Sequence, residues 1–302
     1  MAERYYLGQM ILGTGEPLEI TKEEYEGALK AVQTLLHALD AEEKYDGVIE
    51  NYRELEEFML GQAFQSLLSI RTGDDVQFQV PRNTTARKLS NFLSSVRLYL
   101  DSAERHATAI TGDAETGPQL HREKSRQFDT FASYRALEAI RNHAQHFALP
   151  VHGFTVGLRR SPDFKHSEHS FNPSISVSEL AQNPRFHPPK TLQELQQGPD
   201  TLELKPMVRE YVESLSTIHR CFRELTQETV DKQLEFFREL KSRLFFRDPD
   251  IDDIAIAVFP SDDEGIAVAP QTNLSSTLHN YLDYLRAKNP YLVTFAARRV
   301  TY

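Results

Sequence analysis

The chain has little cysteine, no long hydrophobic run and no excess of positive charge. Its single cysteine, Cys221, cannot form a disulfide bond within the chain. The apolar runs, such as residues 252–260, stop far short of the roughly 20 residues that cross a bilayer. The first ten residues lack the basic and apolar regions of a signal peptide. We therefore expect a cytoplasmic protein with no membrane partner.

The overall charge is acidic, with 34 basic and 44 acidic residues and a net charge of −10. This balance argues against a surface that binds nucleic acid or anionic membranes without specificity. The charge is unevenly distributed, however, because residues 121–160 contain seven basic and three acidic residues. An anionic ligand is most easily accommodated in this locally basic segment.

The 302-residue chain has a hydrophobic content of 40%, which is ordinary for a globular protein. Its main pattern is helical periodicity. Apolar residues spaced three and four apart predict helices at about 21–39, 40–67, 85–106, 121–147, 207–225, 230–246 and 275–287. Alternating or short apolar runs predict strands at 76–80, 154–158, 174–178, 254–259 and 265–269. The order of these elements favours a mainly α fold, a helical bundle with minor short strands.

The same order suggests how the chain is organised. We expect a helical domain over residues 1–247 and a small α/β portion over residues 248–302, packed on the same body. Within the helical domain, a helix is expected at about 121–148, followed by a β-ribbon and loop insertion at about 151–205. Thr21 and Glu24 have the spacing of a capping box and predict the start of the first long helix.

The segment from Tyr134 to Val151 carries the most informative pattern. On a helix, the apolar members of this segment share one side and predict the core-facing surface: Leu137, Ile140, Ala144, Phe147 and Ala148. Arg141 and His146 are five residues apart and therefore lie about 140° apart around the axis. Glu138, Asn142 and Gln145 fill the arc between them, so the polar set is expected to face away from the core.

This polar set suits chemistry on a phosphodiester. A histidine exchanges protons near neutral pH, while the planar fork of an arginine binds a phosphate. Asn142 and His146 form an i,i+4 pair, as do Arg141 and Gln145, so the two amides are placed to orient the imidazole and the guanidinium.

The run Ile140-Arg141-Asn142, three further residues, and His146 resembles the signature helix of HEPN domains. The helix before it is similar to the helix that packs beside the signature helix in that family, and the residues that carry this similarity are Leu89, Asn91, Phe92, Leu93, Arg97 and Leu100. The resemblance covers roughly residues 85–150. It implies a helical bundle that dimerises with two signature helices facing each other, and a metal-independent endoribonuclease site between them. Many members of the family are toxins or antiphage-defence effectors restrained by a partner protein.

The resemblance also implies roles for individual residues. His146 would transfer protons as the RNA 2′-hydroxyl attacks the adjacent phosphate, Arg141 would stabilise the charge on the phosphorane, and Asn142 would orient the pair. Substrate contacts are expected from His143, Gln145, Arg159 and Arg160. No metal and no cofactor is required, and the expected partners are RNA, a second copy of the chain and an antitoxin or regulatory protein.

Three other interpretations of the same residues stay open. The first is a catalytically silent helical module for dimerisation or adaptor function, because the family includes inert members. The second is a metal-dependent hydrolase that uses His143 and His146, with His152 nearby across the turn at Pro150. The third is an ordinary solvated helix end, where cationic side chains are favoured by the helix dipole.

Overall fold

The computed structural model describes residues 4–9, 17–68, 75–160, 165, 167–244, 256–261, 272–274 and 276–298. Its α-helices are α1 Lys22–Leu68, α2 Asp75–Thr111, α3 Thr116–Thr130, α4 Ala132–His146, α5 Val177–Ala181, α6 Pro189–Gln196, α7 Leu204–Leu244 and α8 Ser276–Lys288. Its strands are β1 Arg4–Gln9, β2 Leu18–Ile20, β3 Gly153–Arg160, β4 Ser167–Ser176, β5 Thr201–Glu203, β6 Ile256–Ser261 and β7 Thr272–Leu274. The predicted fold class, mainly α with minor β, is confirmed. None of the helices described is long and apolar enough to cross a membrane.

The first long helix begins as predicted but does not end where expected. The Glu24 amide donates to Thr21 Oγ1 at 3.1 Å, and the Thr21 amide donates to Glu24 Oε2 at 2.8 Å, which is a complete capping box. The predicted break at Asp40 is wrong, because α1 continues through it to Leu68. The Asp40 carboxylate does not cap a second helix; it accepts a bond from the His106 ring on α2.

The strand predicted at residues 76–80 is wrong, because α2 begins at Asp75 and includes them. Phe78 and Val80 are both exposed, so their alternation does not mark a half-buried strand. Pro81 lies inside the helix, and the Thr85 hydroxyl donates to its carbonyl oxygen at 2.8 Å. Five residues of alternation were too short a signal to distinguish the two structures.

The single helix predicted at 121–147 is two helices, α3 and α4, separated at Phe131. Phe131 has an extended backbone, with φ −108° and ψ 117°. Arg135, in the first turn of α4, donates from Nη1 to the carbonyl oxygens of Phe128 and Asp129, both at 2.8 Å. These bonds satisfy carbonyl groups at the end of α3 that would otherwise have no helical partner.

The remaining predictions are partly confirmed. The β-ribbon is present as β3 and β4, an antiparallel pair with Val156 opposite Phe171, and α7 is one helix where two or a broken one were expected. The passage between β4 and α7 contains the short elements α5, α6 and β5. Strands β1 and β2 were not predicted. The strand predicted at 265–269 lies outside the described residues.

Contacts between residues divide the chain into two compact units, each built from three separate segments. The first unit comprises residues 1–43, 102–120 and 222–290, and the second comprises residues 44–101, 121–221 and 291–302. The predicted division of the chain into residues 1–247 and 248–302 stays a prediction.

The first unit contains an antiparallel sheet with the order β2-β1-β6-β7. Apolar side chains of β1 and β6 pack with residues of α1 and α7 in one core cluster: Tyr5, Leu7, Ile20, Ala28, Val32, Phe237, Leu240, Ile256 and Val258. A buried carboxylate also ties the unit together, because Glu42, only 1% exposed, lies 2.6 Å from Arg223 and 3.6 Å from Arg286.

The second unit contains the three-stranded sheet β3-β4-β5 and the helix of interest, α4. Its core is strongly aromatic. The ring of Tyr211 on α7 lies edge-on to Tyr134 on α4, with the ring centroids 4.8 Å apart, and to Phe92 on α2, with the centroids 6.1 Å apart. Edge-to-face pairs of this kind favour a defined geometry, so α2, α4 and α7 are held in register around one another.

Candidate functional site

Helix α4 is anchored by the residues that precede Arg141. Leu137 and Ile140 are fully buried. The Tyr211 hydroxyl donates a short hydrogen bond to Glu138, and Arg97 Nη1 lies 3.9 Å from the other carboxylate oxygen of Glu138. The contact between Arg97 and Glu138 joins α2 to α4. The first half of α4 is therefore held by buried and hydrogen-bonded side chains, and its last turn follows directly from it.

The predicted apolar stripe is confirmed at its start and wrong at its end. Ala144 is half-buried, whereas Phe147 is 52% exposed and Ala148 is also exposed. The helix ends at His146, and Phe147 takes φ −135° and ψ −69°, which is not helical. Residues beyond this point no longer follow the 100° spacing, so the stripe cannot be extended to them.

Arg141 is half-buried on α4. Its Nη1 donates to Asn142 Oδ1 at 3.1 Å, so the amide next in sequence helps to orient the guanidinium. Its Nε is buried and has no hydrogen-bond partner among the described residues. By contrast, Arg135 and Arg209 in the same unit are paired with carboxylates. Arg141 therefore has no carboxylate partner among the described residues.

Gln145 and His146 are exposed in the last turn of α4. Neither side chain makes a hydrogen bond or an ion pair with any residue that the structure describes. Arg159 and Arg160 are exposed at the end of β3, opposite Glu168 and Ser167 in the ribbon. No hydrogen bond or ion pair between described residues joins these two arginines to α4, so their part in substrate binding stays a prediction.

His143 is placed differently from what the sequence suggested. Its side chain is 2% exposed, and its Nδ1 lies 3.3 Å from the Asn183 amide nitrogen. The ring packs beside Phe147 and Phe186, and Nε2 is buried with no partner among the described residues. Its position three residues after Ile140 puts it on the buried side of α4. A side chain enclosed in this way does not reach a substrate on the helix surface, and we assign His143 to the core.

His152 is a neighbour of this site that sequence reasoning treated only as a metal ligand. Its Nδ1 accepts a hydrogen bond from the Ser176 amide at 3.0 Å, so the neutral ring carries its proton on Nε2. The rings of His143 and His152 are 6.4 Å apart. Burial lowers the pKa of both imidazoles, and the neighbouring His152 lowers that of His143 further. Both rings are consequently held in the neutral form.

The metal interpretation gains no support from this geometry. Among the residues that the structure describes, no group of three or more histidine, cysteine or acidic side chains is arranged to hold a metal ion. His143 is enclosed with Asn183, whereas His146 is in solvent, so the two imidazoles sit in different surroundings.

Comparisons of the chain with protein-family models, with curated proteins and with solved structures gave no match. The likeness to the HEPN signature thus rests on the residues of α2 and α4 themselves. On α4 these residues include one guanidinium hydrogen-bonded to Asn142 and one exposed imidazole, which are the kinds of group that supply charge stabilisation and proton transfer at a phosphate.

Proposed function

We propose that the chain is a metal-independent endoribonuclease of the HEPN type that acts as a homodimer on cytoplasmic RNA. The observation that carries the proposal is the state of Arg141 and His146. His146 is exposed and Arg141 is half-buried in the second half of α4, neither is paired with a carboxylate among the described residues, and Asn142 accepts a hydrogen bond from the guanidinium. A toxin or defence effector restrained by an inhibitory partner is the biological setting that we propose for this activity.

The proposed reaction is a transesterification. His146 accepts the proton of the RNA 2′-hydroxyl, and the 2′-oxygen forms a bond to the adjacent phosphorus while the bond to the 5′-oxygen of the next nucleotide breaks. The leaving oxygen takes up a proton, which leaves a 2′,3′-cyclic phosphate on one product and a 5′-hydroxyl on the other. Arg141 stabilises the negative charge that builds up on the non-bridging oxygens, and this role needs its planar fork of donors.

A second copy of the chain completes the site in this proposal. Phe147 and Leu149 directly follow His146 and are 52% and 49% exposed. Exposed apolar side chains beside a polar cluster are typical of protein interfaces. The same observation favours the alternative function, a catalytically silent dimerisation or adaptor module, in which this end of α4 serves only as an interface.

The test is cleavage of mixed cellular RNA in the presence of a chelator, with the oligomeric state measured by light scattering. The wild-type chain is expected to cleave and to leave 2′,3′-cyclic phosphate ends. His146→Ala should lower the rate by about 10²–10⁴-fold, the usual contribution of a general acid–base group. Arg141→Ala should lower it by about 10²–10³-fold, as expected for the loss of a charge-stabilising donor.

Arg122→Ala provides the matched control, because Arg122 is an exposed arginine of the same basic segment that lies outside α4. Its activity should match that of the wild type. Arg141→Lys separates charge from geometry, since lysine keeps the charge but loses the bidentate fork, and we expect it to stay well below the wild type. A folded dimer that does not cleave RNA would instead support the adaptor function, and cleavage that stops with chelator would contradict the metal-independent mechanism.

A further inference from the structure

A second site candidate lies in the first unit and shares no residue with the proposed ribonuclease site. A cavity of about 450 Å³ opens between the middle of α1 and the C-terminal part of α2. Its volume falls within the range of small-molecule sites, roughly 300–1,000 Å³. The residues that line it are Leu36, His37, Leu39, Asp40, Glu43, Arg105 and His106.

Three of these residues form a hydrogen-bonded chain. His106 is buried, with its side chain 3% exposed, and its Nε2 lies 2.8 Å from Asp40 Oδ2. On its other side, His106 Nδ1 lies 3.2 Å from Nδ1 of His37. A carboxylate, a buried imidazole and a half-buried imidazole are therefore connected in series.

One arrangement of protons, with a neutral His106, satisfies all three groups. Because the Asp40 carboxylate only accepts, His106 donates from Nε2. In the neutral His106 ring, Nδ1 then carries a lone pair and accepts from Nδ1–H of His37. This leaves Nε2 of His37 as an acceptor, and it has no partner among the described residues. The carboxylate and the buried ring thus orient His37 for a hydroxyl or another hydrogen donor.

The cavity is lined by both charged and apolar side chains. Arg105 and Glu43 are both exposed in it, and neither makes an ion pair or a hydrogen bond with a residue that the structure describes. An unpaired guanidinium favours a phosphate or carboxylate group. Glu43 and His37 offer acceptors for hydroxyl groups, while Leu36, 45% exposed, and Leu39 offer an apolar surface for the carbon face of a ring.

We propose that this cavity binds a phosphorylated sugar, with Arg105 bound to the phosphate and with His37 and Glu43 accepting hydrogen bonds from the sugar hydroxyls. His106 and Asp40 act as positioning residues that fix the acceptor side of His37. The proposal is independent of the ribonuclease activity, because it involves neither Arg141 nor His146.

The experiment is calorimetric titration of the full chain with ribose 5-phosphate, and with inorganic phosphate and free ribose as the two partial ligands. Ribose 5-phosphate is expected to bind at least about tenfold more tightly than either of them, because it alone makes both sets of contacts. Arg105→Gln should weaken binding of ribose 5-phosphate and of inorganic phosphate by about tenfold or more, as expected when a charged hydrogen bond is lost.

The other variants separate the two halves of the site. His37→Leu should lower the affinity for ribose 5-phosphate by about tenfold and leave the affinity for inorganic phosphate unchanged, since it removes only the acceptor for hydroxyls. Arg122→Gln, at an exposed arginine outside the cavity, should bind both ligands as the wild type does. The absence of binding at millimolar ribose 5-phosphate, or unchanged affinity in Arg105→Gln with a wild-type circular dichroism spectrum, would overturn the proposal. A loss of binding in Arg141→Ala would also overturn it, because the ligand would then occupy the end of α4.

Discussion

At the scale of the residue, His143 makes the folding stability depend on pH. Burial, and then the nearby His152, lowers the pKa of His143 in the folded chain from its ordinary value of 6.5. As the pH falls through that value, the unfolded chain takes up a proton at this residue and the folded chain does not. The free energy of unfolding therefore decreases below about pH 6.5, and it continues to decrease until the folded imidazole is itself protonated. His152 contributes with the same sign.

We expect His143→Asn to make this dependence shallower. The amide of asparagine keeps a polar partner for Asn183 but does not titrate, so one of the two contributions is removed. Urea unfolding at about pH 7.5 and about pH 5.5 gives the difference in the free energy of unfolding for each variant. His121→Gln, at an exposed histidine, is the control for the loss of a histidine as such. Equal differences in the wild type and in His143→Asn would contradict the assignment of a buried, neutral His143.

The residue scale also shows why part of the site was predictable. Arg141, Asn142, Gln145 and His146 are accessible or half-buried, as their spacing on the helix predicts. His143 lies on the buried side of α4, three residues after Ile140, as its spacing alone allows, but its polar side chain favoured the prediction of a substrate contact. The cluster of His37 and His106 joins residues 69 positions apart, so no local spacing could have revealed it.

At the scale of the element, the junction of α3 and α4 depends on Arg135. Its guanidinium bonds the carbonyl oxygens of Phe128 and Asp129 and lies 3.0 Å from Glu194 on α6. Arg135→Met keeps much of the apolar stem but removes these bonds. We expect it to lower the free energy of unfolding by about 1–3 kcal/mol, mainly through the unsatisfied carbonyl groups. Chemical denaturation measures this change, and Arg122→Met is the matched exposed control, which should be nearly neutral. A neutral Arg135→Met would show that the break at Phe131 does not need the guanidinium.

This junction shows which features of the fold apolar periodicity can predict and which it cannot. Apolar spacing located the long helices, because each of them buries one face and the period of 3.6 residues is imposed by that burial. It could not locate the break at Phe131, where no proline or glycine interrupts the sequence and tertiary hydrogen bonds decide the helix ends. Apolar spacing likewise did not show that α1 continues through Asp40, whose carboxylate contacts His106 on α2. The local apolar spacing therefore predicts that a helix forms, whereas contacts with other parts of the chain determine where the helix begins and ends.

At the scale of the whole molecule, the segment after residue 247 supplies parts of both compact units. Strand β6 pairs with β1 along its full length, and its residues Ile256 and Val258 are fully buried in the core of the first unit. In the same unit, Arg286 lies beside the buried Glu42. In the second unit, the Leu292 amide donates to Ser216 Oγ at 2.9 Å. The C-terminal portion is therefore structural in both units.

We accordingly expect a chain truncated after Arg247 to lose cooperative folding. The truncation removes Ile256 and Val258 and exposes the apolar side chains of β1 that they cover, which costs about 1.5–3 kcal/mol for each large side chain whose burial is lost. Several such losses approach the 5–15 kcal/mol that stabilises a typical domain. Thermal unfolding followed by circular dichroism tests this, with a chain ending at Arg298 as the control, because it keeps every contact described above. A truncated chain that melts cooperatively near the wild-type temperature would instead show that residues 1–247 fold alone, and the boundary predicted from the sequence would then be a true domain boundary.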